Sequence, residues 1–306
     1  MTLWTAVPTS SDDIWHRLFS FQNYGELLAL VHNSLIAGAV LGLVGGLVGV
    51  FVMNRDMAFA VHGVSEISFA GGAAALLASA SVSLGAIVGS LVAAILIGVL
   101  GSRARERNSI TGVLMPFALG LGVLFLALYT GRSANKFGLL TGQIVAVDTP
   151  QLTWLVGTSV VVVVGMVVIW RPLMFSSVDP DVAAARGVPA RSLSLVFMVL
   201  LALAVAMAVQ VVGALLVLSL LVTPAAAAVR VTASPLWVPV LSVLFAVVSA
   251  VGGIMLALGG SIPISPYVTT ISFLIYLACR VVGARRGRRG WARRSVATTD
   301  DVAVEV

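Results

Sequence analysis

The chain has 306 residues, of which 59% are hydrophobic and only 10% carry a charged side chain, and its formal net charge is +6. Soluble domains carry about 25% charged residues, so this composition excludes a chain that covers its whole surface with water-facing side chains. The single cysteine, Cys279, excludes an intrachain disulfide and a cysteine-based metal centre, and we expect it to be a small buried hydrophobe.

The N-terminal residues 1–27 do not have the pattern of a cleavable signal. Asp12, Asp13 and Glu26 occupy this stretch, and no basic segment precedes an apolar one. Residues 14–19 combine a tryptophan with apolar neighbours, which predicts a short interfacial helix with its indole ring at headgroup level.

Apolar runs of about 20 residues fill residues 28–283, the length that crosses a bilayer as a helix. Backbone groups find no water in lipid, so such runs form helices or closed barrels, and the absence of period-two alternation favours helices. The fold class is therefore an all-α polytopic membrane protein. Only Gln210 and Gly213 separate the runs at 192–210 and 212–229. We therefore expect eight or nine transmembrane helices. If there are eight, one of these two runs is half-buried or re-entrant. The runs lie at 30–53, 57–80, 83–101, 110–130, 152–170, 192–210, 212–229, 237–258 and 266–283.

Lys and Arg residues predict the orientation, because cytoplasmic loops are rich in them. With nine spans and the N-terminus outside, 15 of the 18 basic residues lie on the inner side, so we expect a cytoplasmic C-terminus. Residues 284–306 are expected to form a basic and then disordered tail, whose arginines contact anionic lipid rather than nucleic acid. The inner residues are Arg55, Arg103, Arg105, Arg107, Arg171, Arg186, Arg191, Arg230, Arg280, Arg285, Arg286, Arg288, Arg289, Arg293 and Arg294.

Two ionisable residues, His62 and Glu66, lie within the second apolar run. Four residues apart on a helix, they share one face, and an imidazole and a carboxylate there can both ligate a divalent metal ion. Ser65 and Ser68 add polar atoms nearby. The alternative is that His62 and Glu66 interact only with each other inside the bundle and bind no metal ion. At the outer end of the first run, the His32–Asn33 pair is expected to lie at the membrane interface.

The inner loop at 178–190 has the pattern of a short capped helix. Asp179 is a suitable N-cap, and Gly187 follows the helix-forming stretch that ends at Arg186. Such a helix between two spans could contact a motor domain, and an ordinary inner loop is the alternative. The sequence itself contains no GxxxxGK[ST] phosphate loop, no HExxH and no GxSxG, so we expect a transport subunit rather than an enzyme.

The chain resembles the permease subunits of bacterial zinc/manganese ABC importers across residues 20–283. The likeness lies in the order and spacing of four stretches. These are residues 21–35 with the glycine-rich helix that ends at 49–55; residues 65–71, Ser-Glu-Ile-Ser-Phe-Ala-Gly, similar to the family's Ser-His-Ala-Ser-Phe-Ala-Gly; residues 178–189; and residues 212–228.

This resemblance implies a bundle like that of type II ABC importers, in a bacterial plasma membrane, that moves zinc, manganese or iron by alternating access with no permanently bound cofactor. It implies as partners a second copy of the chain, two cytoplasmic ATPase subunits and an extracellular substrate-binding protein. It also implies that the helix at 178–190 is the ATPase-coupling helix, with Asp179, Asp181, Ala184, Arg186 and Gly187 as its contact residues.

One departure from the family lies in the candidate metal residues. Family members usually carry Asp and then His four residues later, where this chain has His62 and Glu66. The ligand types and their spacing are kept while their order is exchanged. Two alternatives to a metal cargo stay open: the same architecture importing haem, a metal chelate or another small solute, and a motor-free secondary carrier or intramembrane enzyme.

Overall fold

The computed structural model describes residues 31–101, 104–131, 147–258 and 264–302, and these residues form eleven α-helices and one 3-10 turn, with no strand among them. Residues 1–27 and the predicted interfacial helix lie outside the described residues. The helices are α1 His32–Asn54, α2 Ala58–Leu77, α3 Val82–Leu100, α4 Ala104–Leu128, α5 Thr149–Val178, α6 Pro180–Ala185, α7 Ala190–Val212, α8 Val217–Leu221, α9 Thr223–Val231, α10 Trp237–Ala257 and α11 Ile264–Val302, with the 3-10 turn at Ala214–Leu216.

In the described part of the chain, eight helices are long and apolar enough to cross a membrane, namely α1–α5, α7, α10 and α11. The predicted all-α polytopic fold is therefore confirmed, with the smaller of the two predicted helix counts. Helices α1, α2 and α7 are mostly buried, whereas α4, α5 and α11 expose most of their residues. Exposed apolar faces of this kind are stable in contact with lipid or with another membrane subunit.

The run at 212–229 does not form one continuous helix. The chain reverses at Gly213, whose φ of +91° favours glycine, and returns through the 3-10 turn, α8 and α9. We call residues 213–231 the broken pass. Pro224 at the start of α9 has no amide hydrogen to donate, which suits a second helix start at this place.

Helices α1 and α10 pack closely in opposite directions along a row of glycines. A Cβ atom built on Gly42 would lie 2.7 Å from Val247 Cα, and one on Gly46 would lie 2.5 Å from Val243 Cα. Ser242 Oγ then donates a hydrogen bond of 2.7 Å to the Gly46 carbonyl oxygen across the same contact. The glycines of α1 thus bring two backbones together, as small residues do in membranes.

Most of the described arginines lie at one end of the bundle, which we call the basic end. Arg55 lies between α1 and α2, and its Nη2 donates to Ser194 Oγ near the start of α7 at 3.0 Å. Arg107 at the start of α4 donates to the main-chain oxygen of Arg55. Arg230 lies beside Gly283 of α11, so the broken pass ends at the level where the membrane span of α11, Ile264–Arg285, also ends.

Helix α11 continues beyond the bilayer span at Ile264–Arg285 as far as Val302. No proline follows Pro266, and the alanines and arginines of this stretch favour a helix, whereas Gly283, Gly287 and Gly290 disfavour it.

Candidate functional site

His62 and Glu66 lie on consecutive turns of α2, as their spacing predicts. Nε2 of His62 is 3.7 Å from Oε1 of Glu66. The Glu66 side chain is 4% exposed and that of His62 is 26% exposed, so the carboxylate is enclosed while the imidazole reaches the protomer surface. Nδ1 of His62 is buried and accepts or donates no hydrogen bond within the described structure.

The separation of these two atoms is compatible with a shared divalent cation. Nitrogen and oxygen ligands lie about 2.1 Å from zinc, so two ligands of one ion are at most about 4.2 Å apart. No group of three or more His, Cys, Asp or Glu residues is brought together among the described residues. One chain therefore offers two ligands here, and water, main-chain oxygens or a second subunit would have to complete the coordination shell.

The surface around His62 is apolar and open. Phe59, one turn earlier, is 41% exposed and lies against Gly112 of α4. Further along α4, nothing lies within 4 Å of a Cβ atom built on Gly120. An ionisable side chain that faces hydrocarbon is costly, so this surface is better suited to a protein partner than to lipid.

The two serines near the pair have structural roles that the sequence did not predict. Ser65 Oγ donates a hydrogen bond of 3.0 Å to the Ala214 carbonyl oxygen, and Ser68 Oγ donates one of 3.0 Å to the Ala86 carbonyl oxygen. Both hydroxyl groups are therefore engaged with neighbouring elements. His32 is exposed at the far end of α1, and Asn33 beside it donates to the Val147 carbonyl oxygen at 3.3 Å.

The predicted short helix at 178–190 is present as α6. The Asp179 carboxylate accepts a hydrogen bond of 3.0 Å from the Val182 amide, and Gly187 ends the turn with a φ of +78°. Among the described side chains of α6, Ala183 alone is buried, whereas the candidate contact residues are exposed. The exposed candidates are Asp179, Asp181, Ala184, Arg186 and Gly187.

A cavity of about 550 Å³ opens next to α6 at the basic end. Asn54 of α1, Val178 of α5 and Thr232 after the broken pass line it. Sequence reasoning missed this cavity, because its wall comes from elements more than 100 residues apart in the chain. The cavity places the broken pass directly beside the segment that leads into α6.

The arginines of the basic end form a cluster that charge counting alone did not reveal. The Arg55 guanidinium lies 6.0 Å from the centre of the Phe197 ring. Burial, together with the neighbouring Arg107 charge, lowers the pKa of Arg55 from its usual value. Away from this cluster, Cys279 is a free, buried cysteine, as the sequence predicted.

A bundle of long apolar helices with a broken pass, a His–Glu pair inside one span and a capped helix at the basic end is the architecture of a membrane-spanning permease. The chain belongs to the ABC 3 transport family, whose sequence profile matches residues 28–283. The predicted resemblance is thereby confirmed, and the chain is a transport subunit of an ABC system rather than an enzyme.

Individual relatives agree with this assignment. The chain is 30% identical over 225 residues to the manganese transport system membrane protein MntC of Halalkalibacterium halodurans, covering 73% of this chain and 77% of the relative. It is 26% identical over 253 residues to the high-affinity zinc uptake system membrane protein ZnuB of Haemophilus influenzae, covering 82% and 97%. The solved structure of PsaBC from Streptococcus pneumoniae in complex with Fab superposes with a TM-score of 0.75 at 26% identity, covering 84% of this chain and 94% of that chain.

Proposed function

We propose that this chain is the permease subunit of an importer for a divalent metal ion and that His62 and Glu66 form part of the ion's path. The observation that carries the proposal is this pair, 3.7 Å apart inside a membrane span, with a buried imidazole nitrogen that no group in the described part of the chain satisfies. The imidazole and carboxylate suit zinc, manganese and iron. The relatives named for manganese transport and for zinc uptake support the same cargo class.

The site is expected to bind its ion weakly, because a transport site has to release its cargo as well as capture it. Two ligands from one helix leave most of a four- or six-coordinate shell to other groups. The metal is thus a substrate in transit, and we expect no permanently bound cofactor.

The active assembly is proposed to contain two copies of the chain. His62 is the ionisable residue of α2 that reaches the protomer surface, and a second copy would shield it from lipid. On α4, the open surroundings of Gly120 allow a partner helix to approach closely. Two His62–Glu66 pairs near such an interface would together supply four ligands.

The energy source and the delivery of cargo are proposed to lie in separate proteins. The basic end faces the cytoplasm, following the positive-inside rule, so the C-terminus and α6 are on that side of the plasma membrane. There, two ATPase subunits bind the exposed surface of α6 and drive alternating access. An extracellular substrate-binding protein delivers the ion at the opposite end.

The test is metal uptake by the complete transporter in reconstituted vesicles. The double variant His62→Leu with Glu66→Leu should assemble and keep basal ATP hydrolysis but lose uptake of Mn²⁺ and Zn²⁺. His32→Leu, which removes an exposed histidine at the far end of α1, is the matched control and should transport normally. The exchange variant His62→Glu with Glu66→His keeps both ligand types and should retain part of the uptake.

Wild-type uptake by the double leucine variant would contradict the site assignment, because a pair that only satisfies itself can be replaced by apolar residues. If the wild-type transporter moves haem or a metal chelate and no bare ion, the cargo assignment is wrong and the architecture stands.

A further inference from the structure

The break at Gly213 creates an unusual demand on hydrogen bonding inside the membrane. Backbone groups at a break cannot all bond within a helix, and lipid offers no partner for them. The Leu216 amide donates to the Gly213 carbonyl oxygen at 3.2 Å, which closes the 3-10 turn. The carbonyl groups of Ala214 and Ser219 are satisfied from outside the broken pass.

Two buried serines supply these outside hydrogen bonds. Ser65 Oγ on α2 donates to the Ala214 carbonyl oxygen at 3.0 Å, and Ser272 Oγ on α11 donates to the Ser219 carbonyl oxygen at 3.0 Å. The two serines are 0% and 1% exposed, respectively. The two contacts thus have the same chemistry and length, both donors are buried serines, and both hold the same segment.

The two contacts differ in what lies next to them. Ser65 precedes Glu66 in the chain and lies on the same two turns of α2 as His62, whereas Ser272 belongs to the last helix. In secondary transporters, discontinuous helices form the sites where substrates and ions bind. The Ser65 contact is therefore the one that joins the break to the candidate metal residues.

We propose that Ser65 is a positioning residue for the metal site, acting through the Ala214 carbonyl, so that ion binding at His62 and Glu66 and the conformation of the broken pass are coupled. This inference rests on the proposed metal path. Ser65 itself is not required to touch the ion. Its hydroxyl holds the break against the turn of α2 that carries Glu66.

The rest of the broken pass provides a route from this contact to the basic end. The carbonyl of Leu221 packs on Gly49 of α1, which leaves no space for a side chain there. Val229 and Thr232 then line the cavity beside Val178, the residue that leads into α6. One short segment therefore contacts both the candidate metal turn and the base of the proposed ATPase-coupling helix.

The experiment compares Ser65→Ala with Ser272→Ala in the assembled transporter. Each removes one hydroxyl donor to the broken pass, so both should lower thermal stability by a similar amount. Only Ser65→Ala should raise the Mn²⁺ concentration for half-maximal uptake, by about three- to tenfold, the size expected for one hydrogen bond. An equal change in both variants, or none in Ser65→Ala, would overturn the proposal.

A second measurement does not depend on transport. Adding Mn²⁺ or Zn²⁺ should slow amide hydrogen exchange in the peptide at 213–222 of the wild-type complex and of Ser272→Ala, and should leave it unchanged in Ser65→Ala. Metal-induced protection that persists in Ser65→Ala would show that the contact does not couple the two sites. If Ser65→Ala fails to assemble, Ser65→Cys, which keeps a side-chain group in this place and weakens the donor, is used in both measurements.

The two proposals fail in distinguishable ways. A wild-type complex that neither transports nor binds divalent cations would contradict the proposed function. A wild-type complex that transports them normally, with Ser65→Ala indistinguishable from Ser272→Ala, would contradict only the role of Ser65.

Discussion

Arg107 Nη2 donates a hydrogen bond of 3.0 Å to the main-chain oxygen of Arg55, and this bond fastens the turn between α1 and α2 to the start of α4. The donor carries a charge and the acceptor lies in a tight turn, where Asp56 adopts a φ of +51°. The helix that carries His62 begins directly after this turn.

Arg107→Ala should lower the free energy of unfolding by about 1–3 kcal/mol, because it removes a charged donor and leaves the Arg55 carbonyl unpaired. Thermal unfolding of the purified permease in detergent measures the effect. Arg191→Ala, which removes an exposed arginine near the same end, should change stability by less than about 0.5 kcal/mol. Equal effects of the two substitutions would show that the bond to Arg55 does not stabilise the turn.

Gly49→Ala should prevent correct assembly, because a Cβ atom at this position would collide with the main-chain oxygen of Leu221 in the broken pass. A backbone atom cannot move aside as the end of a flexible side chain can. Gly157→Ala is the matched control, since nothing lies within 4 Å of a Cβ atom built there. Size-exclusion chromatography and thermal unfolding compare the monodispersity and the melting temperature of the two variants. A well-folded Gly49→Ala protein would show that the broken pass can shift.

Ala184→Pro should uncouple ATP hydrolysis from transport. Proline in the interior of α6 costs about 3 kcal/mol and disrupts the helix, while the exposed position of residue 184 spares the core. Permease insertion should be normal, and ATP hydrolysis should no longer respond to transport. Asp179→Ala, which removes the N-cap hydrogen bond but leaves the helix free of proline, should give a milder defect of the same kind, at a cost of about 1 kcal/mol. Unchanged coupling in Ala184→Pro would remove α6 from the ATPase interface.

Gly120→Cys, in a background in which Cys279 is replaced by serine, should form a cross-link between two copies of the chain on mild oxidation. The surface of α4 around Gly120 is proposed to face the second subunit. Gly157→Cys on α5 has equally open surroundings and should stay uncross-linked if that face meets lipid. Denaturing electrophoresis without reductant reads the result, and dimers from Gly157→Cys alone would place the interface on the other side of the bundle.

A reporter fused after Ser295 should indicate the cytoplasmic side. The basic end contains Arg55, Arg107 and Arg230, and α11 reaches the same end at Gly283. Paired phosphatase and fluorescent-protein fusions give opposite signals on the two sides of the membrane. An external signal would reverse the orientation and would move α6 away from the ATPase.

The sequence by itself was enough to predict the membrane class, the helical fold, the candidate pair His62–Glu66 and the short capped helix at 178–190. Each depends on local rules: run length against bilayer thickness, the spacing of four residues on one helical face, and an N-cap with a following glycine. These rules act within a few helical turns of a single segment, so a reader of the sequence can apply them without knowing the neighbours.

Only the tertiary structure decided how the segment after Val212 crosses the bundle. Its composition suits a continuous span, yet it breaks at Gly213 because Ser65 and Ser272 satisfy its carbonyl groups and the α1 glycines admit its backbone. The Arg55–Arg107 contact and the cavity beside α6 likewise join residues far apart in the chain. Hydropathy measures the cost of transferring a side chain into lipid. The features found here depend instead on which distant backbone groups meet and form hydrogen bonds, and the packing of the helices decides which groups meet.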